Sequence, residues 1–358
     1  MGPRAGALVS LLPLLCAWTA VSGCSASSAD RARPVAPQAG AVAYQSPSAS
    51  PPSFAPASFW EKPLAADAAL DPTSTAAVAD FSLEIEGDER PGHSPWINTT
   101  SSSVPIYTVP ARQPRVRVRL DSPVRSRALE AAWRSVPLPS NAQPAAGNEH
   151  VLVVWQPSRD RLWEFWRMTH DASGWHARWG GAMRHVSSNL GVYGPGAWPR
   201  AGRGWGVSAS SLELVGGLIT LRDLAQGSID HALEIGIPNV RAGAYASPAQ
   251  RTDGTSVDPL ALPEGAHLRL DPSFDLSTLH LSRLGTMIAQ AAQRYGLIVR
   301  DYSPNLAFYA QDPTPTGTDP YAGPTGYFEG LYPREVLAGF PWSHLQLLAM
   351  HLHLSGVH

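Results

Sequence analysis

Prolines and glycines recur at short intervals along the chain, and this limits its fold more than any other feature. There are 34 prolines and 31 glycines among the 358 residues. Proline interrupts a helix interior and both residues favour turns, so a helical bundle is excluded. The hydrophobic fraction of 44% excludes a mainly disordered chain. The sequence therefore predicts many short segments joined by turns.

Most of these segments have the β-branched or alternating patterns that are typical of strands. Strands are predicted at residues 104–109, 116–120, 151–155, 162–168, 175–182, 214–218, 232–237, 267–270 and 297–300. Helical spacing occurs at 127–136, 282–295 and 334–353, and a capped helix start at 71–79. We therefore expect a mostly β fold, an antiparallel β-sandwich or jelly-roll-like body with a few peripheral helices. An α+β arrangement is the alternative.

The N-terminus predicts where the protein is located. Arg4 precedes an uncharged apolar run over residues 7–21, which is short for a membrane span and typical of a signal peptide. The run ends in Val21-Ser22-Gly23-Cys24, which resembles the lipobox of bacterial lipoproteins. That resemblance implies cleavage after residue 23, lipid attachment at Cys24 and an extracytoplasmic protein anchored to the bacterial cell membrane. An ordinary secretory signal is the alternative.

The rest of the chain divides by composition. Residues 24–58 are rich in Ala, Ser and Pro, which predicts a disordered tether. A single β-rich body domain is expected at 59–312. A Pro/Gly-rich segment with a C-terminal helix that packs on the body is expected at 313–358. Cys16 and Cys24 are the only cysteines, so the processed chain has none for a disulfide.

Charge and motifs exclude several function classes. The chain has 27 lysine and arginine residues against 29 aspartate and glutamate residues, so it has no basic excess for nucleic-acid binding. The sequence contains no phosphate-binding glycine loop, no His-Glu-x-x-His and no Gly-x-Ser-x-Gly. We predict no cofactor and no metal site. The expected partners are the membrane, through the lipid anchor, and a polysaccharide or another envelope component.

The densest aromatic region indicates a ligand site. Trp163, Trp166 and Trp179 lie close to Glu164, and strand alternation places Glu164 on the same face as Trp166. Indole rings that flank a carboxylate are typical of sugar sites, where Glu164 would act as acid, base or hydrogen-bond acceptor. The alternative is that the tryptophans form the core and Glu164 pairs with an arginine.

Three further residues complete the candidate site. Asp301 directly follows an apolar strand, and His231 is a candidate base, although alternation also fits a core histidine. Asp253 is a candidate ligand-binding residue in the loop 251–258, which offers oxygen atoms that suit Ca²⁺. Asp253-Gly254 is equally an ordinary turn pair.

From Trp60 onward the chain resembles an uncharacterised family of secreted bacterial proteins. The resemblance lies mainly between residues 150 and 302, in segments such as Leu162-Trp163-Glu164-Phe165-Trp166, Asp230-His231-Ala232-Leu233 and Tyr295-Gly296-Leu297-Ile298-Val299. It implies secretion and one shared body domain, and it implies no activity.

Three hypotheses for the function follow. The first is a non-catalytic envelope lipoprotein that binds a glycan or a protein. The second is a carbohydrate-active enzyme, a glycoside hydrolase or polysaccharide lyase, which uses Glu164 with Asp301 or Asp253, and His231 as an alternative base. The third is a serine hydrolase with a dispersed triad, in which His231 activates one of three serines, Ser208, Ser210 or Ser211. A deep cleft with converging polar groups would favour the second hypothesis over the first.

Overall fold

The computed structural model describes residues 51–86, 95–202 and 204–355. The predicted signal peptide, Cys24 and most of the predicted tether lie outside these residues. The last part of the predicted tether belongs to the folded body. Phe54 is a buried core residue, and the Ser58 hydroxyl donates to the carbonyl oxygen of Leu190 at 2.8 Å. The body therefore includes residues before the predicted start at 59.

Short strands dominate the described part of the chain. Its helices are α1 (Ser74–Glu86), α2 (Arg127–Ala132), α3 (Leu221–Gln226) and α4 (Arg283–Arg294). Its strands are β1 (Trp96–Asn98), β2 (Val104–Thr108), β3 (Val118–Leu120), β4 (Leu152–Gln156), β5 (Arg161–Trp166), β6 (Thr169–Asp171), β7 (Gly174–Ala177), β8 (Trp179–Arg184), β9 (Leu233–Ile237), β10 (Ala244–Ala246), β11 (His267–Leu270), β12 (Leu297–Tyr302), β13 (Ala307–Tyr309), β14 (Gln311–Asp312), β15 (Leu345–Leu347) and β16 (Leu352–Leu354). The predicted mostly β, sandwich-like class with few helices is confirmed. Within these residues, no helix has the length and apolar character that crossing a bilayer requires.

Two large sheets and two small ones contain these strands. One large sheet has the order β14-β2-β4-β5-β8, and the other has the order β1-β13-β9-β12-β11-β15. The small sheets are β3-β7-β6 and β10-β16. Both large sheets are mixed, since β2 pairs with β4 and β9 with β12 in parallel, beside antiparallel neighbours. The parallel pairs are an addition to the expected antiparallel arrangement, because side-chain alternation carries no information on strand direction.

The six-stranded sheet is buried on both faces. Along β12, Leu297 and Val299 belong to one core with α4, whereas Ile298 belongs to the core that contains the five-stranded sheet. β13 divides in the same way, with Phe308 on the α4 side and Tyr309 on the other. Alternate residues of a strand point to opposite faces, so each face of the six-stranded sheet packs against a different core. The face opposite α4 packs toward the five-stranded sheet.

The C-terminal segment differs from its prediction. No α-helix forms between residues 334 and 353; the segment contains turns, a short 3₁₀ helix (Trp342–His344), β15 and β16. Gly339 has a φ of +77° and Pro341 follows it, and both interrupt a helix. β15 then pairs antiparallel with β11 and extends the sheet. The strand predicted at 214–218 is also wrong, because these residues form turns, whereas 282–295 forms α4 as expected.

Candidate functional site

A cleft of about 920 Å³ lies where residues of the two large sheets meet. Its lining includes the ends of β5 and β8, the end of β12 and the loop around 251–253. Its polar lining includes carboxylates, guanidinium groups and side-chain amides, namely those of Glu149, Asp253, Asp301, Arg178, Arg251, Arg300, Asn98 and Asn305. Concave sites with converging polar groups and aromatic walls are typical of ligand binding.

Two tryptophans form one wall. Trp166 ends β5 and Trp179 begins β8, and the two residues lie directly opposite each other in the antiparallel ladder. The Trp179 indole N–H donates to the carbonyl oxygen of Gly204 at 2.9 Å, and that of Trp166 donates to the Glu149 carboxylate. Both side chains are half-buried. Since their N–H groups are held, the tryptophan pair presents fixed ring surface to the cleft.

Three carboxylates converge next to the cleft, and two of them line it. Oxygen atoms of Asp253, Glu264 and Asp301 lie within 4.8 Å of one another, and these residues are the acidic cluster. Asp301 follows a register shift between β12 and β9, and such bulges redirect side chains. Its carboxylate accepts the N–H of Ala209 at 3.3 Å. Asp253 is exposed and Glu264 is fully buried.

Burial raises the pKa of two members of the acidic cluster. Desolvation is the main cause for Asp301, whose pKa rises to about 6, because the nearby Arg300 charge offsets it only in part. Desolvation raises the pKa of Glu264 to about 9, with further increases from the Asp301 and Asp253 charges. Groups whose environment opposes ionisation in this way are concentrated at functional sites.

Two arginines lie beside the acidic cluster. Arg251 donates to the carbonyl oxygen of Ser208 at 2.7 Å, and its Nε has no hydrogen-bond partner among the described residues. Burial lowers the pKa of Arg251, and the negative charges of the acidic cluster act against that shift. Arg300 donates to the buried carboxylate of Glu234, and its guanidinium lies 3.7 Å from the ring centroid of Tyr309.

Glu164 lies behind the wall of the cleft. It is fully buried on β5, and its two carboxylate oxygens accept the backbone N–H groups of Val207 at 2.7 Å and Leu214 at 3.0 Å. Val207 and Leu214 themselves line the cleft. Burial raises the pKa of Glu164 to about 7, although both backbone hydrogen bonds lower it. Glu164 therefore positions a loop of the site, and that loop separates it from the cleft.

The structure brings together four of the predicted site residues and separates three from them. Asp253, Asp301, Trp166 and Trp179 line the cleft; Glu164, Trp163 and His231 do not. Trp163 is a core residue whose N–H donates to the carbonyl oxygen of Ala132 at 3.2 Å. The three predicted catalytic residues thus do not converge in one pocket.

His231 makes its hydrogen bonds elsewhere. Its Nε2 lies 3.1 Å from the Asp223 carboxylate, and its Nδ1 lies 2.8 Å from the carbonyl oxygen of Ala232. Ser208 and Ser210 are buried and lie 3.1 Å apart, hydroxyl to hydroxyl, and Ser208 also donates to the carbonyl oxygen of Leu212. In the described part of the chain, none of the three candidate serines hydrogen-bonds to His231.

Sequence reasoning missed Glu264, Arg251 and Arg300. Glu264 stands in Leu262-Pro263-Glu264-Gly265-Ala266, a turn next to a strand in which a carboxylate is ordinarily solvated. The available signal was a single charge within an apolar run. Arg300 offers a similar signal, since it is a charged residue directly after the apolar residues at the start of β12.

Comparison of the chain with known protein families, curated proteins and solved structures found no match. The resemblance to a family of secreted bacterial proteins stays a prediction.

Proposed function

We propose that this protein binds an oligosaccharide in the cleft. The observation that carries the proposal is the position of the tryptophan pair, which faces a cleft lined with carboxylate, guanidinium and amide groups. A sugar ring has an apolar face that packs on an indole ring and hydroxyl groups that need polar partners. A wall of fixed aromatic rings with nearby hydrogen-bonding groups meets both requirements.

The dimensions of the cleft favour an oligosaccharide over a single sugar. Pockets for drug-sized ligands measure roughly 300–1,000 Å³, and the cleft volume of about 920 Å³ lies near the upper end. Carboxylates on the cleft lining accept hydrogen bonds from hydroxyl groups, and arginines such as Arg178 and Arg251 donate to hydroxyl or acidic groups. The mixed charge therefore accommodates both neutral and uronic-acid-containing chains.

Hydrolysis of the bound glycan is a second candidate function. Asp253 and Asp301 both line the cleft, with carboxylate oxygens within 4.8 Å of each other. Retaining glycosidases place two carboxyl groups about 5–5.5 Å apart. Because its pKa is raised to about 6, Asp301 is the better proton donor, and the exposed Asp253 is the better nucleophile. Glu164 has no part in this scheme, since a loop covers it.

The location of the protein is proposed from the N-terminal sequence alone. Residues 7–21 and the following Cys24 support a lipid anchor on the outer side of the cell membrane. The ligand would then be a polysaccharide of the envelope or its surroundings. Radiolabelled palmitate in growing bacteria tests this proposal: wild type should acquire label and Cys24→Ala should not. Equal labelling of both proteins would contradict it.

A glycan array tests the binding proposal. The full-length chain is applied to an array of neutral and uronic-acid-containing oligosaccharides, beside a Trp166→Ala/Trp179→Ala double variant. Tyr332→Ala is the matched control, since Tyr332 is 62% exposed and does not line the cleft. Binding by wild type and the control, with loss in the double variant, is expected. Absence of binding across the array, or equal binding by all three proteins, would contradict the proposal.

A further inference from the structure

Three carboxylates meet next to the cleft, two of them on its lining, and we infer that Asp253, Glu264 and Asp301 bind a divalent cation, with Ca²⁺ as the favoured ion. Each of the three residues offers an oxygen atom within 4.8 Å of the other two. They come from three separate segments: the loop after Arg251, the turn before β11 and the end of β12. The fold itself therefore assembles the acidic cluster.

Glu264 provides the independent evidence for a ligand. Its side chain is fully buried, and neither carboxylate oxygen accepts a hydrogen bond of good geometry, although the Thr252 hydroxyl and the Asp253 N–H lie near enough to lower its pKa. Leaving a buried carboxylate without partners is costly, so native proteins supply donors or a metal ion. A cation between Glu264 and its two neighbours would satisfy both oxygens.

The backbone holds Glu264 in this position. Gly265 adopts a φ of +81°, and its N–H donates to the carbonyl oxygen of Val299 in β12 at 2.8 Å. The next residue, Ala266, donates to the carbonyl oxygen of Pro263 at 3.0 Å and closes the turn. The Glu264 backbone is thus fixed against β12, the strand that carries Asp301. Such preorganisation is what a metal site requires of its ligands.

Charge balance favours a divalent ion. Arg251 is the cation whose field acts on all three carboxylates. Arg300 is already paired with the buried carboxylate of Glu234. A bound cation requires all three carboxylates to be ionised, Glu264 included. Their three charges then exceed that of the one guanidinium by two, and one divalent ion neutralises this excess.

Ligand type and spacing favour Ca²⁺ over other common divalent ions. The acidic cluster offers oxygen atoms and contains no histidine or cysteine, unlike most zinc sites. Oxygens on opposite sides of Mg²⁺ are at most about 4.2 Å apart, whereas Ca²⁺ accommodates about 5.2 Å. The oxygens of the acidic cluster lie within 4.8 Å of one another, inside the span that Ca²⁺ accommodates. Ca²⁺ also tolerates irregular ligand sets, whereas Mg²⁺ demands a near-ideal octahedron.

The ion would also contact the bound glycan, and this step rests on the proposed glycan binding. It replaces the hydrolytic scheme, since carboxylates that hold the ion are not free to act as proton donor and nucleophile. Ca²⁺ takes about 6–8 oxygen ligands, so three carboxylates leave coordination positions free. Asp253 and Asp301 line the cleft, which directs those positions toward it. Vicinal hydroxyl groups or a uronic-acid carboxylate would fill them.

Calorimetric titration of CaCl₂ into the EDTA-treated full-length chain tests the inference without any glycan. We expect one ion per chain for wild type and at least tenfold weaker binding for Glu264→Gln and Asp253→Asn. Asp253→Asn keeps the test valid if Glu264→Gln does not fold, because Asp253 is exposed. Asp258→Asn, an exposed carboxylate of the same loop, is the matched control and should bind like wild type. Absence of Ca²⁺ binding at millimolar concentration, equal binding by all variants, or tighter binding of MgCl₂ would overturn the inference.

A glycan titration with Ca²⁺ and with EDTA separates the two proposals. Weaker glycan binding in EDTA supports an ion that contacts the sugar. Equal glycan binding in both buffers overturns that contact while the proposed function stands. Ca²⁺ binding by a chain that binds no glycan supports the cation site and contradicts the proposed function.

Discussion

Trp166 lies directly opposite Trp179 across the antiparallel pair β5 and β8, at the end of the pair that faces the cleft. Cross-strand partners on one face of a sheet have their Cβ atoms about 4.5–5.5 Å apart, so the two indoles share one surface. The same face of β5 carries Glu164, whose carboxylate holds the backbone at Val207 and Leu214. One strand thus positions both an aromatic wall and the loop next to it.

Glu164→Ala should destabilise the protein by about 2–4 kcal/mol. The substitution removes the acceptor for two backbone N–H groups and leaves a cavity at a fully buried position. Urea unfolding of the full-length chain measures the effect. Glu86→Ala, at the exposed end of α1, should change the free energy of unfolding by less than about 0.5 kcal/mol. Equal effects of the two substitutions would show that Glu164 does not hold the loop.

The free energy of unfolding should fall as the pH rises from about 4.5 to 7. The pKa of the buried Glu164 is raised from 4.5 to about 7, so the folded state binds more protons than the unfolded state in that range. Burial raises the pKa of Glu234 to about 7 as well, and its contribution has the same sign. Each contribution is fully present below the unfolded pKa and is lost as the pH rises through the folded one.

Glu164→Gln isolates this contribution, because glutamine does not titrate. The buried ring of His267 has a pKa lowered to about 4, so its contribution to the free energy of unfolding rises with pH between about 4 and 6.5. Both proteins contain His267, and its contribution cancels in the difference. The difference in the free energy of unfolding between wild type and Glu164→Gln should therefore change by about 2–3 kcal/mol across pH 4.5–7, with wild type losing stability. A pH-independent difference would contradict a buried, titrating Glu164.

Gly265→Ala should destabilise the fold and weaken Ca²⁺ binding. A Cβ atom at Gly265 would lie 1.8 Å from the carbonyl oxygen of Ala246, and the φ of +81° is costly for alanine. We expect a loss of about 2 kcal/mol or more in urea unfolding. Gly196→Ala is the control, because nothing lies within 4 Å of its Cβ position. Comparable stability of both variants would contradict a fixed turn at Glu264.

His231→Asn should lower stability without changing glycan affinity. His231 is bonded to Asp223 and Ala232 and does not line the cleft, so its loss costs about 1 kcal/mol of hydrogen bonding. The measurement is urea unfolding together with calorimetry of the array-selected glycan. His280→Asn, at an exposed position, is expected to change neither quantity. A glycan affinity that falls only in His231→Asn would place His231 in the binding machinery after all.

Local patterns were sufficient for α4 and β12, because a helical stripe and an apolar run report burial directly. The C-terminal leucines are ambiguous, because Leu345 and Leu348 fit the helical period whereas Leu345 and Leu347 fit the strand period. The strand prevails because β15 pairs with β11. Strand direction in the mixed sheets depends on chain connections that periodicity does not encode.

The site was only partly predictable for a related reason. Glu164 does share a face with Trp166, but its burial comes from Val207 and Leu214, which lie 43 and 50 residues away in the chain. The sequence indicates Asp253 as a carboxylate in a turn and Asp301 as a carboxylate at the end of an apolar strand. Their convergence with Glu264 depends on how the 253 loop, the turn before β11 and β12 pack together. No spacing in the sequence carries that information.

The most direct test of glycan binding in the cleft is calorimetric titration of the array-selected oligosaccharide into wild type, Trp166→Ala, Trp179→Ala and Tyr332→Ala. Circular dichroism first establishes that each variant is folded. Each cleft substitution should weaken binding about tenfold, which corresponds to about 1.4 kcal/mol for one lost stacking surface. Tyr332→Ala should bind like wild type. Equal affinity of all four proteins would contradict a glycan site at the tryptophan pair.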